Sequence, residues 1–205
     1  MLRYKLGKLV KNYKSSLIEI ISPQMSILLN SHCNKITRYA SNLATIPKDR
    51  HFARRSMLVK ILSEELIQHI QDVFEAQLVH PVELIYFSDR HTCDTCADSE
   101  QLLDELSSIS AKIKIHKIDV NDDLTSVKKY AMLLTPGLVV AGGGQAHPID
   151  YGIRFFGIPS GYEFGSLIQA IILVSKRDSG LKPAVRKQLA ELKKPVHIRV
   201  FVTPT

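Results

Sequence analysis

Two cysteines separated by two residues, Cys93 and Cys96, are the side chains in this chain whose type and spacing point most clearly to a chemical reaction. They follow a short apolar run typical of a buried strand, residues 81–87, and they open a stretch with helical spacing of leucines. This places Cys93 at the N-terminus of a predicted helix and Cys96 one turn inside it, close enough for the two sulfurs to bond. Free backbone N–H groups and the positive end of the helix dipole favour a thiolate on Cys93 there. The spacing therefore predicts dithiol–disulfide exchange, in which Cys93 attacks a substrate disulfide and Cys96 resolves the mixed disulfide.

A zinc site or an inert thiol pair is the alternative interpretation of the same motif. Structural zinc needs four ligands, usually from two such pairs, whereas the chain has three cysteines and eight histidines, of which only His91 lies beside the motif. We therefore favour redox chemistry over metal binding and predict no metal and no cofactor. The third cysteine, Cys33, stands alone, and three cysteines are too few for a disulfide framework.

The periodicity of the chain predicts the elements that position these cysteines. Residues suited to helix capping stand at the expected helix starts: Ser63, Asp122 with Asp123, and Ser160 with Glu163 as a capping box. The predicted order is helix, strand, helix, strand, short helix, strand, strand and helix, at about residues 62–74, 82–87, 96–109, 113–120, 122–131, 138–140, 149–156 and 160–172. This is the order of an α/β thioredoxin-like fold, a mixed central sheet flanked by helices, in which the first strand-to-helix turn is the natural place for an active site.

Other side chains near the motif, or predicted to lie near it, bear on its reactivity. The Asp94 carboxylate beside Cys93 opposes ionisation of the thiol, while His91 favours it, so the two effects oppose each other. Farther along the chain, Thr135 and Pro136 precede a predicted strand. In a thioredoxin-like site this proline is cis and faces the dithiol, which leaves Thr135 to pair with an extended substrate backbone. The alternative is an ordinary proline at a strand edge.

Composition and charge exclude several classes of protein. The chain has 205 residues, 45% of them apolar and 23% charged, which is ordinary for a globular protein and excludes a collagen, a disordered tail and a disulfide-dense scaffold. The net charge of +7 arises in residues 1–56, which carry 11 basic and two acidic side chains. Residues 57–205 carry 16 basic and 18 acidic side chains. Nucleic-acid binding is therefore not favoured for residues 57–205. No apolar stretch reaches the ~20 residues of a membrane helix and no signal peptide is recognisable, so we predict a cytoplasmic protein without a membrane partner.

The basic first quarter, residues 1–56, is predicted to be an extension separate from the main unit. Lys-rich and acid-poor segments are typical of transit peptides and of nucleic-acid-binding arms. An upstream reading frame translated before a start at Met57 is a third interpretation. The apolar residues of this segment show no pattern that would pair with the main fold, so we expect loose attachment. The compact unit is predicted at residues 57–176, and residues 177–205 are predicted to be a linker followed by a helix and a strand.

A weak internal repeat links two parts of the chain. Residues 80–87 align with residues 194–201 at an offset of 114, and each run follows a helical segment. We therefore expect a second copy of the fold that begins near Leu181 and is truncated after its first strand. A lone strand of this kind has unpaired backbone groups along its edges. This predicts self-association through the C-terminal strand, residues 196–202.

Four stretches together resemble a known family: residues 81–87, the C-x-x-C motif, residues 151–164 with the sequence YGIRFFGIPSGYEF, and residues 200–205. From about Met57 onward the chain is similar to the protein disulfide oxidoreductases of thermophilic archaea and bacteria. These are glutaredoxin-like proteins with two tandem thioredoxin-fold units, related to the N-terminal domain of the alkyl hydroperoxide reductase flavoprotein. The resemblance implies a thiol–disulfide oxidoreductase of a thermophile cytosol, where intracellular disulfides are common.

For individual residues the resemblance implies Cys93 as the attacking thiol, Cys96 as the resolving thiol and Pro136 as the cis-proline. The implied partners are protein dithiols and disulfides as substrates and a thioredoxin-reductase-like electron donor. Two features depart from the family: the C-x-x-C of its second unit is absent, and Asp94-Thr95 stands where Pro-Tyr or Gln-Tyr is usual. The alternative function is a non-catalytic thioredoxin-fold remnant or docking module whose dithiol does not turn over.

Overall fold

The computed structural model describes residues 16–21 and 60–202. In chain order the elements are β1 (Ser16–Ile21), α1 (Glu64–Gln77), β2 (Val82–Ser88), α2 (Cys96–Ser108), β3 (Ile113–Asp119), α3 (Leu124–Lys129), β4 (Gly137–Gly142), β5 (Ile149–Phe156), α4 (Tyr162–Lys176), α5 (Pro183–Ala190) and β6 (His197–Val202). The eight elements predicted between residues 62 and 172 are all present, with ends that differ by a few residues.

Six strands form one mixed sheet in the order β3-β2-β4-β5-β1-β6. Strands β2 and β3 are parallel, joined by the α2 crossover, and the other neighbours are antiparallel. The four strands β3-β2-β4-β5, with helices on both faces, are the central mixed sheet that the sequence predicts. Because both edges of β2 are paired, the end of β2 is a rigid position for the loop that carries Cys93.

Helices α1, α2 and α4 cover one face of the sheet and enclose the main core. The opposite face is covered over β2 and β4 by α3 and the residues that follow it, where Tyr130 and Met132 pack against Ile85, Phe87 and Val139. The two layers keep β2 and β4 buried on both faces, and this fixes the strands from which the site loops depart. Among the residues that the structure describes, no helix is long and apolar enough to span a membrane.

Two of the three predicted helix caps are confirmed. Ser63 and Asp123 each accept a hydrogen bond from the backbone N–H three residues later. The N-cap predicted at Ser160, the first residue of a capping box with Glu163, is wrong by one residue, because α4 begins at Tyr162 with Gly161 as its N-cap. Gly161 has φ +58° and ψ −130°, a conformation open to glycine but rarely adopted by L side chains. The chain therefore enters the helix one residue later than the box requires.

Strand β1 corrects the prediction that residues 1–56 have no partner in the main fold. It lies between β5 and β6 and pairs antiparallel with both. Its sequence, Ser-Leu-Ile-Glu-Ile-Ile, is rich in isoleucine, which favours strands. Residues 1–15 and 22–59 lie outside the described residues, and so do Cys33 and the other predictions made for this segment.

The helix and strand predicted near the C-terminus are present as α5 and β6. However, the predicted lone strand is paired along one edge: each of the six residues of β6 is paired with one residue of β1. Its other edge has no strand partner within residues 16–21 and 60–202. The division into units at residues 57–176 and 177–205 stays a prediction, as does the second copy of the fold.

Candidate active site

The loop between β2 and α2 is folded around the carboxylate of Asp89. This carboxylate accepts hydrogen bonds from the Thr92 hydroxyl at 2.5 Å and from the backbone N–H of His91 at 2.9 Å. These donors stabilise the ionised form and lower the pKa of Asp89 to about 2. The backbone carbonyl of Asp89 accepts a further hydrogen bond from the N–H of Cys93 at 3.2 Å. The turn thereby places Cys93 just beyond the end of the interior strand β2.

Arg90 ties the same loop to the end of β3. Its backbone N–H donates to the Asp119 carboxylate at 3.1 Å, and its guanidinium lies 3.3 Å from that carboxylate and 3.4 Å from Asp122. Asn121 adds a bond of 3.2 Å to Asp89. The sequence did not single out Arg90 and Asp119, because the only local signal for them is a cluster of turn-forming Asp and Asn residues after β3.

Cys93 and Cys96 form a disulfide, with an S–S distance of 2.06 Å and a Cα–Cα distance of 5.5 Å. Cys93 is half-buried and Cys96 is buried, which is the predicted order of accessibility. Helix α2 begins at Cys96, where the leucine spacing predicts it, with Thr95 as its N-cap. The placement of Cys93 at the helix N-terminus and of Cys96 one turn inside is wrong, because Cys93 precedes the helix. The turn formed by residues 89–92 holds the N–H of Cys93 on the carbonyl of Asp89, so Cys93 is not part of the helix.

Tyr86 lies directly beneath the start of α2. Its hydroxyl donates a hydrogen bond of 2.7 Å to the backbone carbonyl of Cys96, and its side chain is fully buried. Burial raises the pKa of Tyr86 well above its ordinary value, so the hydroxyl keeps its proton. The alternation of β2 predicts Tyr86 as a core residue, which it is. Nothing in the sequence pattern indicates its contact with Cys96.

Thr135 and Pro136 lie at the same end of the central strands as the disulfide loop. Gly137 at the start of β4 is paired with Phe87 near the end of β2, so the residue before Gly137 lies beside the departing loop. The Thr135–Pro136 peptide bond is cis, as predicted. The carbonyl of Pro136 accepts a hydrogen bond of 2.8 Å from the N–H of Gly157 after β5. The roles of Thr135 and Pro136 in substrate binding stay predictions.

Exposed apolar and polar side chains lie in the loops at this end of the central strands. Leu133, Leu134 and Tyr162 are 60%, 36% and 54% exposed and lie in the segments before β4 and after β5 that meet at this end. His91 and Asp94, the residues predicted to oppose each other in their effect on the Cys93 thiol, are both exposed. Among the described residues, no three His, Cys, Asp or Glu side chains are grouped as metal ligands.

The chain is similar to curated redox proteins, and no family model matches it. It is 31% identical over 145 residues to the alkyl hydroperoxide reductase protein AhpF of Staphylococcus epidermidis, a match that covers 71% of this chain and 25% of that protein. It is 32% identical over 112 residues to NADH dehydrogenase of Bacillus subtilis, which covers 55% of this chain and 19% of that protein. The chain therefore spans a quarter or less of the length of these relatives.

Two solved structures share this fold at similar identity. A protein disulfide oxidoreductase from Aeropyrum pernix has a TM-score of 0.53 and 25% identity, over 68% of this chain and 58% of that one. The alkylhydroperoxide reductase protein AhpF of Enterococcus faecalis has a TM-score of 0.57 and 27% identity, over 65% of this chain and 62% of that one. These similarities confirm the predicted resemblance and the thioredoxin-like fold. Together with the Cys93–Cys96 disulfide they support a thiol–disulfide redox function.

Proposed function

We propose that this chain is a protein disulfide oxidoreductase that exchanges disulfides with protein substrates through Cys93 and Cys96. In the reducing direction the Cys93 thiolate attacks one sulfur of a substrate disulfide and releases the other sulfur as a thiolate. The Cys96 thiolate then attacks the Cys93 sulfur, closes the internal disulfide and releases the second substrate thiolate. Two electrons pass to the substrate, and two protons complete its thiols. The oxidising direction is the reverse sequence.

The observation that carries this proposal is the disulfide between the half-buried Cys93 and the buried Cys96, in the loop beyond the end of β2. A protein disulfide is bulky, so the first attack needs a sulfur that the partner can approach, and Cys93 is the more accessible one. The second attack is intramolecular and can take place under cover, which suits Cys96 with its exposure of 7%.

A peptide-binding role for the segment before β4 is part of the proposal. Thr135 is half-buried at the same end of the strands, and the residue after it is fixed by the hydrogen bond from Gly157 to the carbonyl of Pro136. An extended substrate can add its backbone to that of Thr135, as strands do at exposed edges. The exposed side chains of Leu133 and Leu134 add apolar contact area for the same peptide.

A redox partner on the electron-donating side completes the cycle. The curated relatives are named as an alkyl hydroperoxide reductase protein and a dehydrogenase, and this supports an electron donor of the thioredoxin-reductase type that reduces the closed disulfide. We place this cycle in the cytoplasm. Oxidation of NADPH by a thioredoxin reductase, dependent on added wild-type chain and absent with Cys93→Ser, is the measurement for this partner.

Reduction of insulin by dithiothreitol tests the proposed reaction itself. The wild-type chain should shorten the lag before the insulin B chain precipitates, and Cys93→Ser should abolish this effect. Cys96→Ser is the matched control, because it keeps the attacking thiol and should accumulate a mixed disulfide with the substrate. Equal rates for wild type and Cys93→Ser would contradict the enzyme and leave the non-catalytic docking module as the function.

A further inference from the structure

A buried tyrosine beneath the dithiol is not used in the exchange steps. Tyr86 in β2 is 1% exposed, and its hydroxyl donates the 2.7 Å hydrogen bond to the carbonyl of Cys96. The backbone of Tyr86 is held on both sides, by pairing with Leu138 of β4 and with Lys117 of β3. A rigid central strand therefore holds the first residue of α2 through one side chain.

The start of α2 lacks the side-chain cap that would otherwise fix it. Thr95 is the N-cap residue but makes no side-chain capping hydrogen bond. In the oxidised protein the disulfide also ties Cys96 to Cys93, and reduction removes that tie. The hydrogen bond between Tyr86 and Cys96 involves neither sulfur, so reduction does not remove its donor or its acceptor.

We propose that Tyr86 is a positioning residue that keeps Cys96 within reach of Cys93 when the disulfide is open. This inference rests on the proposed thiol–disulfide exchange and concerns its second step. In that step the Cys96 thiolate attacks the Cys93 sulfur, the Cys93–Cys96 bond forms, and the substrate sulfur leaves with the bonding electron pair. Holding Cys96 in place raises its effective concentration at the Cys93 sulfur, as orientation does in intramolecular reactions. Tyr86 acts here only through the backbone of Cys96.

The effective concentration of Cys96 can be measured in glutathione buffers of defined composition. After acid quenching, mass spectrometry separates the reduced, glutathionylated and internally bonded forms, in a Cys33→Ser background that leaves only the two thiols of the motif. We expect Tyr86→Phe, which keeps the ring and removes the hydroxyl, to lower the effective concentration about 3- to 10-fold, as for the loss of one buried hydrogen bond. Tyr130→Phe is the matched control, because Tyr130 is also buried but lies in the smaller core on the other face.

A second readout separates positioning from a general loosening of the fold. The first attack, followed as alkylation of Cys93 in the reduced protein, should proceed at the same rate in wild type and Tyr86→Phe, while resolution of the mixed disulfide slows. An unchanged effective concentration in Tyr86→Phe overturns the proposal. An equal fall in Tyr130→Phe overturns it as well.

The wild-type protein supplies a check that does not depend on how a variant folds. By NMR, the hydroxyl proton of Tyr86 should exchange with water equally slowly in the oxidised and reduced forms, and faster exchange on reduction overturns the proposal. If the wild type forms neither a glutathionylated nor an internally bonded species in any buffer, the proposed function itself fails. Normal exchange that is insensitive to Tyr86→Phe removes only the inference about Tyr86.

Discussion

Cys93 and Cys96 differ in their access to solvent, and this difference is measurable. Cys93 lies in the loop and is half-buried, whereas Cys96 is 7% exposed at the first position of α2. After reduction, a limited amount of iodoacetamide at neutral pH should therefore label Cys93 first, as determined by peptide mapping. Cys96→Ser should be labelled at Cys93 at the same rate, which controls for the second thiol. Labelling of Cys96 before Cys93 would reverse the proposed roles.

The carboxylate of Asp89 gives the loop a defined dependence on pH. Its pKa of about 2 lies below the ordinary value of 3.8 because the Thr92 hydroxyl and backbone N–H groups bind the ionised form. The stabilising contribution of Asp89 is therefore complete above about pH 4 and is lost as the pH falls through about 2. We expect wild type to be more stable than Asp89→Asn in urea at pH 6 and the difference to fall to a small fraction near pH 2.

Thr92→Val is the control for this prediction, because it removes the hydroxyl donor to Asp89 and leaves the carboxylate in place. The stability gap between Thr92→Val and the double variant with Asp89→Asn should be smaller than the gap between wild type and Asp89→Asn. A wild-type advantage that persists undiminished at pH 2 would show that Asp89 contributes through its shape rather than its charge.

At the scale of elements, apolar periodicity predicts the helices and strands between residues 62 and 172 because their buried faces are long and regular. Local backbone conformation decides an end that the periodicity misplaces: Gly161, at φ +58°, moves the start of α4 to Tyr162. The start of α2 at Cys96 is where the leucine spacing predicts it, but the turn around Asp89 keeps Cys93 ahead of the helix. The sequence analysis does not predict strand β1, for a different reason. Six apolar-rich residues do not distinguish a strand from a buried helical segment, and its partners β5 and β6 lie far away along the chain.

The start of α4 yields a prediction that separates the two capping models. Gly161→Ala should destabilise the protein by about 1–3 kcal/mol, because an alanine side chain is strained at φ +58° and ψ −130°. Ser160→Ala should change the unfolding free energy by less than ~0.5 kcal/mol, since the N-cap residue of α4 is Gly161 and not Ser160. Urea unfolding followed by circular dichroism measures both variants. The opposite ranking would restore the capping box predicted for Ser160.

At the scale of the whole molecule, β1 joins the dithiol-bearing sheet to the C-terminal strand. It pairs with β5 along four positions and with β6 along six. The internal repeat predicts β6 as the start of a separate copy of the fold, and this prediction did not foresee the shared sheet, because a repeat reports similarity between segments and not their pairing partners. The thioredoxin-like order of the central elements, in contrast, followed directly from the succession of periodic stretches.

The outer edge of β6 is the place where we expect two copies of this chain to meet. Within the described residues, its backbone groups that face away from β1 have no strand partner, and such edges are templates for pairing with another strand. Phe201 on β6 is 60% exposed and Leu124 on α3 is 61% exposed, so the two residues form a matched pair for substitution. Phe201→Lys should weaken concentration-dependent association, because a charged side chain at an edge opposes pairing, while Leu124→Lys should leave it unchanged. Sedimentation velocity over a concentration series measures both, and equal association of wild type and Phe201→Lys would show that β6 is not the contact.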